Sequence, residues 1–218
     1  MSTTSNAQSQ LLGLVAYASL SAFEQTAAAS AIAPQVEQKL VLGRLAAQRF
    51  THLGRLEATL AAAGGDVTRA MAPFVAPVDG FNHHTRPEDW AQALVKLCVV
   101  GGLVADFAAE VAPHLDEASR DILLGSIDDG ELAAEPGRML SGALAAEPEA
   151  AGRLAMYARR LLGEALSQAQ RVCAAQPVLT EQLNGRAGQG GEDLAAIGDL
   201  MARLAGHHAA RLAEIGLA

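Results

Sequence analysis

The chain has 218 residues, of which 50% are hydrophobic and only 4% aromatic, and its formal net charge is −8 at pH 7. Alanine and leucine supply most of the apolar surface and β-branched residues are sparse, which favours helices over strands nearly everywhere. The acidic balance argues against a general nucleic-acid surface, because such a surface needs clustered Lys and Arg side chains. The length suffices for one well-buried domain.

The cysteines and the N-terminal residues bear on the cellular compartment. Cys98 and Cys173 lie in apolar helical runs without motif spacing, which is typical of reduced core thiols in a cytosolic protein. The first ten residues are polar and carry no basic segment, so no signal peptide is predicted. No apolar run reaches the length of a membrane span without an interruption. We therefore expect a cytoplasmic protein without membrane contact.

The N-terminal part of the chain predicts two long helices. Residues 1–7 are expected to form a disordered tail, followed by one domain over residues 8–218. The first helix should run from Ser9 to Ala31. The second should begin with Pro34 in its first turn and end near Ala63, because Gly64 and Gly65 follow.

The middle of the chain predicts a short helix, a long loop and a third long helix. Asp66 can cap the short helix. Residues 73–86 contain two prolines and read as an irregular connection that crosses the bundle. The third long helix should start at Pro87, with Thr85 as its cap, and end before Pro113.

The C-terminal part predicts three more helices. A fourth should start near Asp116, and Pro136-Gly137 should kink or split it, leaving the carbonyl near Leu132 without its helical partner. The remaining segments are a fifth helix from Pro148 to Ala175, a Gly- and Gln-rich connection from Asn184 to Gly191, and a last helix from Glu192 to Leu217.

Together these segments predict an all-α fold with six long helices. The first four would form two hairpins joined by one crossover, which is the connectivity of a ferritin-like four-helix bundle, and the two additional C-terminal helices would pack on it. The expected shared core of the first four helices is Leu45, Phe50, Leu53, Leu97, Leu123 and Ile127.

A polar stretch within the second helix is the first candidate site. Residues 45–56 place Gln48, Arg49 and His52 among alanines and leucines, and buried polar groups need partners. Glu24 on the first helix is the best partner upstream. A carboxylate facing a His on the next helix is half of the metal site inside ferritin-like bundles, but the Glu expected three residues before the His is replaced by Arg49.

Four stretches of the chain carry a resemblance to known proteins: MAPFVAPVDGF, DWAQALVKLCVVGGLVADFAAEVAPHLD, RLLGEALSQAQRV and DLMARLAGHHAARLAEIGL. They resemble an actinobacterial ferritin-like family related to the bacterial tRNA hydroxylase that acts on isopentenylated adenosine. The resemblance spans roughly Ser9 to Leu217 and supports the fold more than the activity.

The resemblance implies an oxygen-activating di-iron site with a carboxylate on the first and third helices and Glu-x-x-His on the second and fourth. Glu24 and His52 match the first hairpin, with Arg49 in place of Glu. These three positions preserve only part of the implied ligand set, because arginine cannot ligate a metal.

The second hairpin matches the implied pattern less well. The third-helix carboxylate is Asp106, unless Gly101 occupies that position. Asp128 matches an acidic ligand on the fourth helix, but Glu131 stands where the His should be. The possible metal ligands are therefore Glu24, His52, Asp106, Asp128 and Glu131.

The substitutions favour an ion-pair network in place of the metals. Its predicted members are Glu24, Arg49, His52, Asp128 and Glu131. Because clustered carboxylates need a cation, Arg49 is predicted to point inward and to pair with at least one of the three acids. The rival interpretation places Arg49 in solvent with only His52 inside.

For several other polar residues we expect ordinary structural roles. His83 and His84 are expected to be exposed, and one of His207 and His208 packed with the other in solvent. Local or inter-helix hydrogen bonds, rather than a site, are expected for Glu164, Gln168 and Arg171.

Two functional hypotheses follow. The first is a non-catalytic binding or structural member of the hydroxylase-like family with a degenerate di-iron site and no cofactor, since Arg49 and Glu131 argue against activity. The alternative is a di-iron monooxygenase that hydroxylates a modified tRNA base or a small apolar substrate, and only this alternative implies tRNA as a partner and iron as a cofactor. The apolar composition and long helices make a homodimer plausible under both.

Overall fold

The computed structural model describes residues 3–183 and 194–217, with side chains for residues 7–181 and 198–217. Within those residues every regular element is an α-helix or a short 3-10 helix, and no strand occurs. The α-helices are α1 Thr3–Ile32, α2 Val36–Ala62, α3 Val67–His84, α4 Trp90–Val111, α5 Glu117–Ile127, α6 Glu135–Ala146, α7 Ala151–Ala175, α8 Pro177–Leu183 and α9 Leu194–Glu214.

Helices α1 and α2 form a long hairpin whose ends follow from local sequence. Gly64, which follows the C-cap Ala63 of α2, adopts a positive φ of 73°, as predicted for a glycine that ends a helix. The Asp66 side chain then accepts a hydrogen bond from the Arg69 backbone N–H and caps α3. Helix α1 begins at Thr3, within the stretch 1–7 for which a tail is predicted, and residues 1 and 2 lie outside the described residues.

Helix α3 replaces the irregular crossover that was predicted for residues 73–86. Pro73 and Pro77 both lie inside it, although a proline removes one helical hydrogen bond each time. The burial of apolar side chains compensates for the lost hydrogen bonds. Phe74 is fully buried in a core cluster with residues of α1 and α2, and α3 packs against both α1 and α7. The crossing between the two halves of the chain is therefore made by a helix, because tertiary packing outweighs local propensity.

Helix α4 is buried mainly in its first half, and its start differs from the prediction. Asp89, and not Thr85, caps it by accepting a hydrogen bond from the Gln92 backbone N–H. Thr85 instead follows the end of α3. The predicted stop before Pro113 is confirmed, because α4 ends at Val111.

The predicted fourth helix is split, but not at Pro136. Helix α5 ends at Ile127, and Gly130 with a φ of 53° leads into a 3-10 turn. Pro136 lies in the first turn of α6, where its missing N–H has no helical partner to lose. The Leu132 carbonyl accepts a hydrogen bond from the Glu135 backbone N–H. The prediction that this carbonyl has no partner is therefore wrong.

The core consists of adjoining clusters rather than the single predicted one. Leu45 and Leu97 share one cluster, whereas Leu53 and Leu123 lie in another. Phe50 is 53% exposed, so its assignment to the core is wrong. It lies beside Phe23, with ring centroids 5.1 Å apart.

The C-terminal helices close the second half of the molecule. Helix α9 packs against α4 and α7, as the prediction of additional helices on the bundle requires. The short helix α8 was not predicted, and the described residues hold nine α-helices rather than six. The predicted connection from Asn184 to Gly191 lies outside the described residues. No helix among the described residues is long and apolar enough to cross a membrane.

Candidate functional site

One face of α2 holds the segment that follows α5. Gln48, Arg49 and His52 lie within about one helical turn, so their side chains project from neighbouring positions. Each of the three makes a hydrogen bond to residues 126–129. The end of α5 is thereby fixed against α2 by polar contacts inside an apolar interface.

Arg49 is the centre of this arrangement. Its Nε and Nη2 atoms donate to Asp129 Oδ2 at 2.9 and 2.7 Å. Its Nη1 atom donates to Thr26 Oγ1 on α1 at 2.7 Å, and the Thr26 hydroxyl in turn donates to the Ala22 carbonyl. The side chains of Arg49 and Asp129 are only 13% and 10% exposed, so one guanidinium ties α1, α2 and the turn after α5 together in a largely water-excluded place.

His52 and Gln48 extend the contact on either side of Arg49. His52 is 4% exposed, and its Nδ1 lies 3.1 Å from the Ser126 carbonyl oxygen, so this nitrogen carries the proton. Gln48 Nε2 donates to the Asp128 carbonyl at 3.3 Å. These bonds satisfy backbone carbonyls at the end of α5, which have no partner within their own helix.

The predicted inward orientation of Arg49 therefore holds, but its predicted partners do not. Glu24, Asp128 and Glu131 are exposed, and the Arg49 ion pair is made with Asp129. Asp128 instead accepts the Gly130 backbone N–H.

Asp129 is the site residue that sequence reasoning missed. It directly follows Asp128, and the chain reverses there too sharply for helical spacing to apply. Its Oδ2 receives both bonds from Arg49, whereas its buried Oδ1 has no hydrogen-bond partner among the described residues. The signal in the sequence was the Asp-Asp-Gly turn, which offers two adjacent carboxylates to a single arginine.

Asp106 is engaged elsewhere in the fold. Arg211 on α9 donates through Nη2 to both Asp106 oxygens, at 2.8 and 2.7 Å, and His207 lies 3.9 Å from the same carboxylate. Gly101, the other candidate for the third-helix position, is exposed. Neither residue joins Arg49 and His52.

The residues present do not fit a di-iron centre. Two irons need about six protein ligands, chiefly carboxylates with His. Among the described residues no group of three or more His, Cys, Asp or Glu side chains is placed to hold a metal. Arg49 moreover places a permanent positive charge beside His52, at a position where the implied pattern requires a ligand.

The other polar predictions agree with the structure. His207 has a side chain 53% exposed, whereas His208 is 2% exposed. His84 is exposed and lies 2.8 Å from Glu164 Oε1. Gln168 Nε2 donates to the same oxygen at 2.6 Å. Cys98 and Cys173 are both free thiols.

Comparison with known proteins agrees with the helical architecture. Residues 3–186 match the family model described as a ferritin-like domain of actinomycetes. No curated protein matches the chain. Because the match covers most of the sequence and the described residues form an all-α bundle, the chain belongs to this actinomycete ferritin-like family.

Proposed function

We propose that this chain is a non-catalytic member of its family, with a binding or structural role and without the di-iron chemistry of ferritin-like oxygenases. The observation that carries the proposal is the Arg49–Asp129 ion pair, at the level of the bundle where His52 is buried. A fixed guanidinium neutralises the one buried acid there, so the fold needs no metal cation to stabilise it.

The same proposal includes the relationship to the tRNA hydroxylase that the sequence suggested. We propose that the chain retains the scaffold of the hydroxylase-like proteins and has lost the residues that ligate the two irons. Function resides in sites and not in folds, and the acids that the oxygenase alternative requires are either exposed or paired with arginine.

Iron binding separates the two hypotheses. Protein reconstituted anaerobically with Fe²⁺ and then desalted should hold far less than one iron per chain. His52→Ala serves as the matched variant, because any iron at this site would use the only buried His of the α2 face. Two irons per chain that are lost in His52→Ala would overturn the proposal and make the monooxygenase the better hypothesis.

A structural role is further supported by an exposed apolar seam along α2. We define the α2 seam as Val36, Leu40, Gly43, Ala47, Phe50 and Gly54. All six are exposed, and the three large side chains are 65%, 56% and 53% exposed. Their alternating spacing of four and three residues places them on one stripe of the helix, as in helices that pair.

The seam is complementary to a second copy of itself. In an antiparallel pair about a two-fold axis midway along the seam, Val36 would face Gly54, and Leu40 would face Phe50. A Cβ at Gly54 would meet nothing within 4 Å in its own chain, so the space that this glycine leaves is open to a partner. Glu37 and Arg55, both exposed beside the seam, would lie near each other across the axis. We therefore propose that the chain forms a homodimer through α2.

A further inference from the structure

A cavity of about 370 Å³ lies between the second half of α1, the end of α3 and α4. Its size falls in the range of small-molecule sites. One wall is apolar and includes Ala28, Ile32, Ala93 and Leu97, while the polar lining residues are Gln25, Asn82, Arg86 and Lys96. Two of the lining residues are cations and none is an acid.

Lys96 is the unusual member of this lining, because it is 2% exposed. Its Nζ donates to the Thr85 carbonyl at 3.3 Å and lies 5.2 Å from the centroid of the Phe81 ring. No ion pair joins it to a carboxylate of the described residues. Burial lowers the pKa of Lys96 to about 8, so the side chain is still mainly protonated at neutral pH.

A buried ammonium without a counter-anion is unfavourable. One carbonyl and one aromatic face compensate it partly, whereas a lysine ammonium can donate three hydrogen bonds. Arg86, which lines the same cavity and is exposed, adds a second positive charge. The lining therefore presents two cations beside apolar side chains and includes no acid.

We propose that this cavity binds a small organic carboxylate with a short apolar tail. The carboxylate group would be held by the charges of Lys96 and Arg86, and the tail would cover the wall formed by Ala28, Ile32 and Leu97. An inorganic phosphate would use the same cations but leave the apolar wall uncovered, so the two ligand types can be separated. No lining residue hydrogen-bonds to Arg49 or Asp129, and the proposal does not depend on whether the chain binds iron.

The chain offers a direct probe, because Lys96 and Lys39 are its only lysines. Protein labelled with ¹³C at the lysine Cε atoms would give two side-chain signals, and Lys39→Met would assign them. Hexanoate should shift the Lys96 signal in a saturable manner and leave the Lys39 signal in place. Lys39 is exposed in the first turn of α2 and does not line the cavity, and it is therefore the matched control.

The charge and the tail are tested separately. Lys96→Met keeps the apolar stem of the side chain and should weaken hexanoate binding by about tenfold or more in calorimetry, whereas Lys39→Met should bind as the wild type does. Hexanamide, which is neutral, and inorganic phosphate, which has no tail, should each bind about tenfold more weakly than hexanoate.

Three results would overturn the proposal. The first is a Lys96 signal that does not move in millimolar hexanoate. The second is equal binding of hexanoate by the wild type and Lys96→Met. The third is equal binding of hexanoate and either control ligand. None of these outcomes bears on iron content, so failure here is distinguishable from failure of the proposed loss of metal chemistry.

Discussion

At the scale of single residues, Arg49 makes the most consequential contact. Arg49→Ala should lower the free energy of unfolding by about 3–5 kcal/mol, because it leaves the Asp129 carboxylate, 10% exposed, without a cation and removes the bond to Thr26. Urea unfolding followed by circular dichroism measures this change.

Asp128 supplies the control for Arg49. Asp128→Asn alters an exposed carboxylate next to Asp129, the residue that pairs with Arg49. It should change the free energy of unfolding by no more than about 0.5 kcal/mol. If Asp128→Asn destabilised the protein as much as Asp129→Asn does, the assignment of the ion pair to Asp129 would be wrong.

The inward orientation of Arg49 was predictable from its helical register with His52. The identity of the acid that pairs with Arg49 was not, because it depends on the turn after α5, whose geometry no periodicity encodes.

Lys96 gives stability an unusual dependence on pH. Its pKa is about 8 in the folded protein against an ordinary value of 10.5. Between these values the unfolded chain binds more protons than the folded one, so Lys96 makes the protein more stable as pH rises from 8 towards 10.5. Below pH 8 the folded state bears the full cost of burying the charge.

Lys96→Met should remove that cost and that pH dependence. We expect an increase in the free energy of unfolding of about 2–3 kcal/mol near neutral pH, shrinking as the pH approaches about 10. Denaturant unfolding at several pH values below 10 measures the difference between variant and wild type. The tyrosines and thiols are the same in the variant and the wild type, so their contributions to the pH dependence cancel in this difference. A difference that is independent of pH would contradict the assignment.

At the scale of elements, α1 and α3 are in close contact at Gly13. A Cβ built there would lie 2.1 Å from the Ala70 carbonyl oxygen, which is backbone and cannot rotate away. Gly13→Ala should therefore destabilise the protein by about 2 kcal/mol or more. Gly163→Ala, on the exposed middle of α7 with nothing within 4 Å, should instead stabilise it by about 0.5–1 kcal/mol. Thermal melts of both variants check the prediction, and equal shifts in Tm would contradict the close contact of α1 and α3.

The limits of sequence reasoning at this scale are clearest at α3. Helix ends with a local chemical cause, such as Gly64 after α2 and Asp66 before α3, could be predicted. Residues 73–86 could not, because Pro73 and Pro77 indicate a loop while the reason for the helix is the burial of Phe74 against other helices. Local propensity is a weak prior that long-range packing overrides.

At the scale of the whole molecule, the composition predicted the helical class, but it did not reveal which helix faces remain open. Phe50 was assigned to the core on its apolar character, yet it is 53% exposed and belongs to the α2 seam. Its misassignment has a physical meaning: the spacing of an apolar stripe is the same whether the stripe packs inside the chain or against another chain. The cavity at Lys96 was likewise not predictable, because it forms where α1 packs near the end of α3 and the start of α4, which are distant from α1 in sequence.

The proposed dimer yields the last prediction. Light scattering coupled to size-exclusion chromatography should give twice the chain mass of 22.5 kDa. Leu40→Glu introduces a charge into the α2 seam opposite Phe50 of the other copy, where the exposed side chain can be replaced without opening a cavity in the fold. The variant should be a folded monomer, since two carboxylates would face the apolar stripe of the other copy.

A matched variant separates the seam from the rest of the exposed apolar surface. Met156 on α7 is 71% exposed and lies outside the seam, so Met156→Glu should leave the dimer intact. The antiparallel register adds a sharper requirement. Glu37 and Arg55 would approach each other across the two-fold axis, so Glu37→Arg should weaken the dimer by like-charge repulsion, and the double variant Glu37→Arg with Arg55→Glu should restore it. A wild-type monomer at high concentration, or a Leu40→Glu dimer as tight as the wild type, would show that α2 does not pair with a second copy of itself.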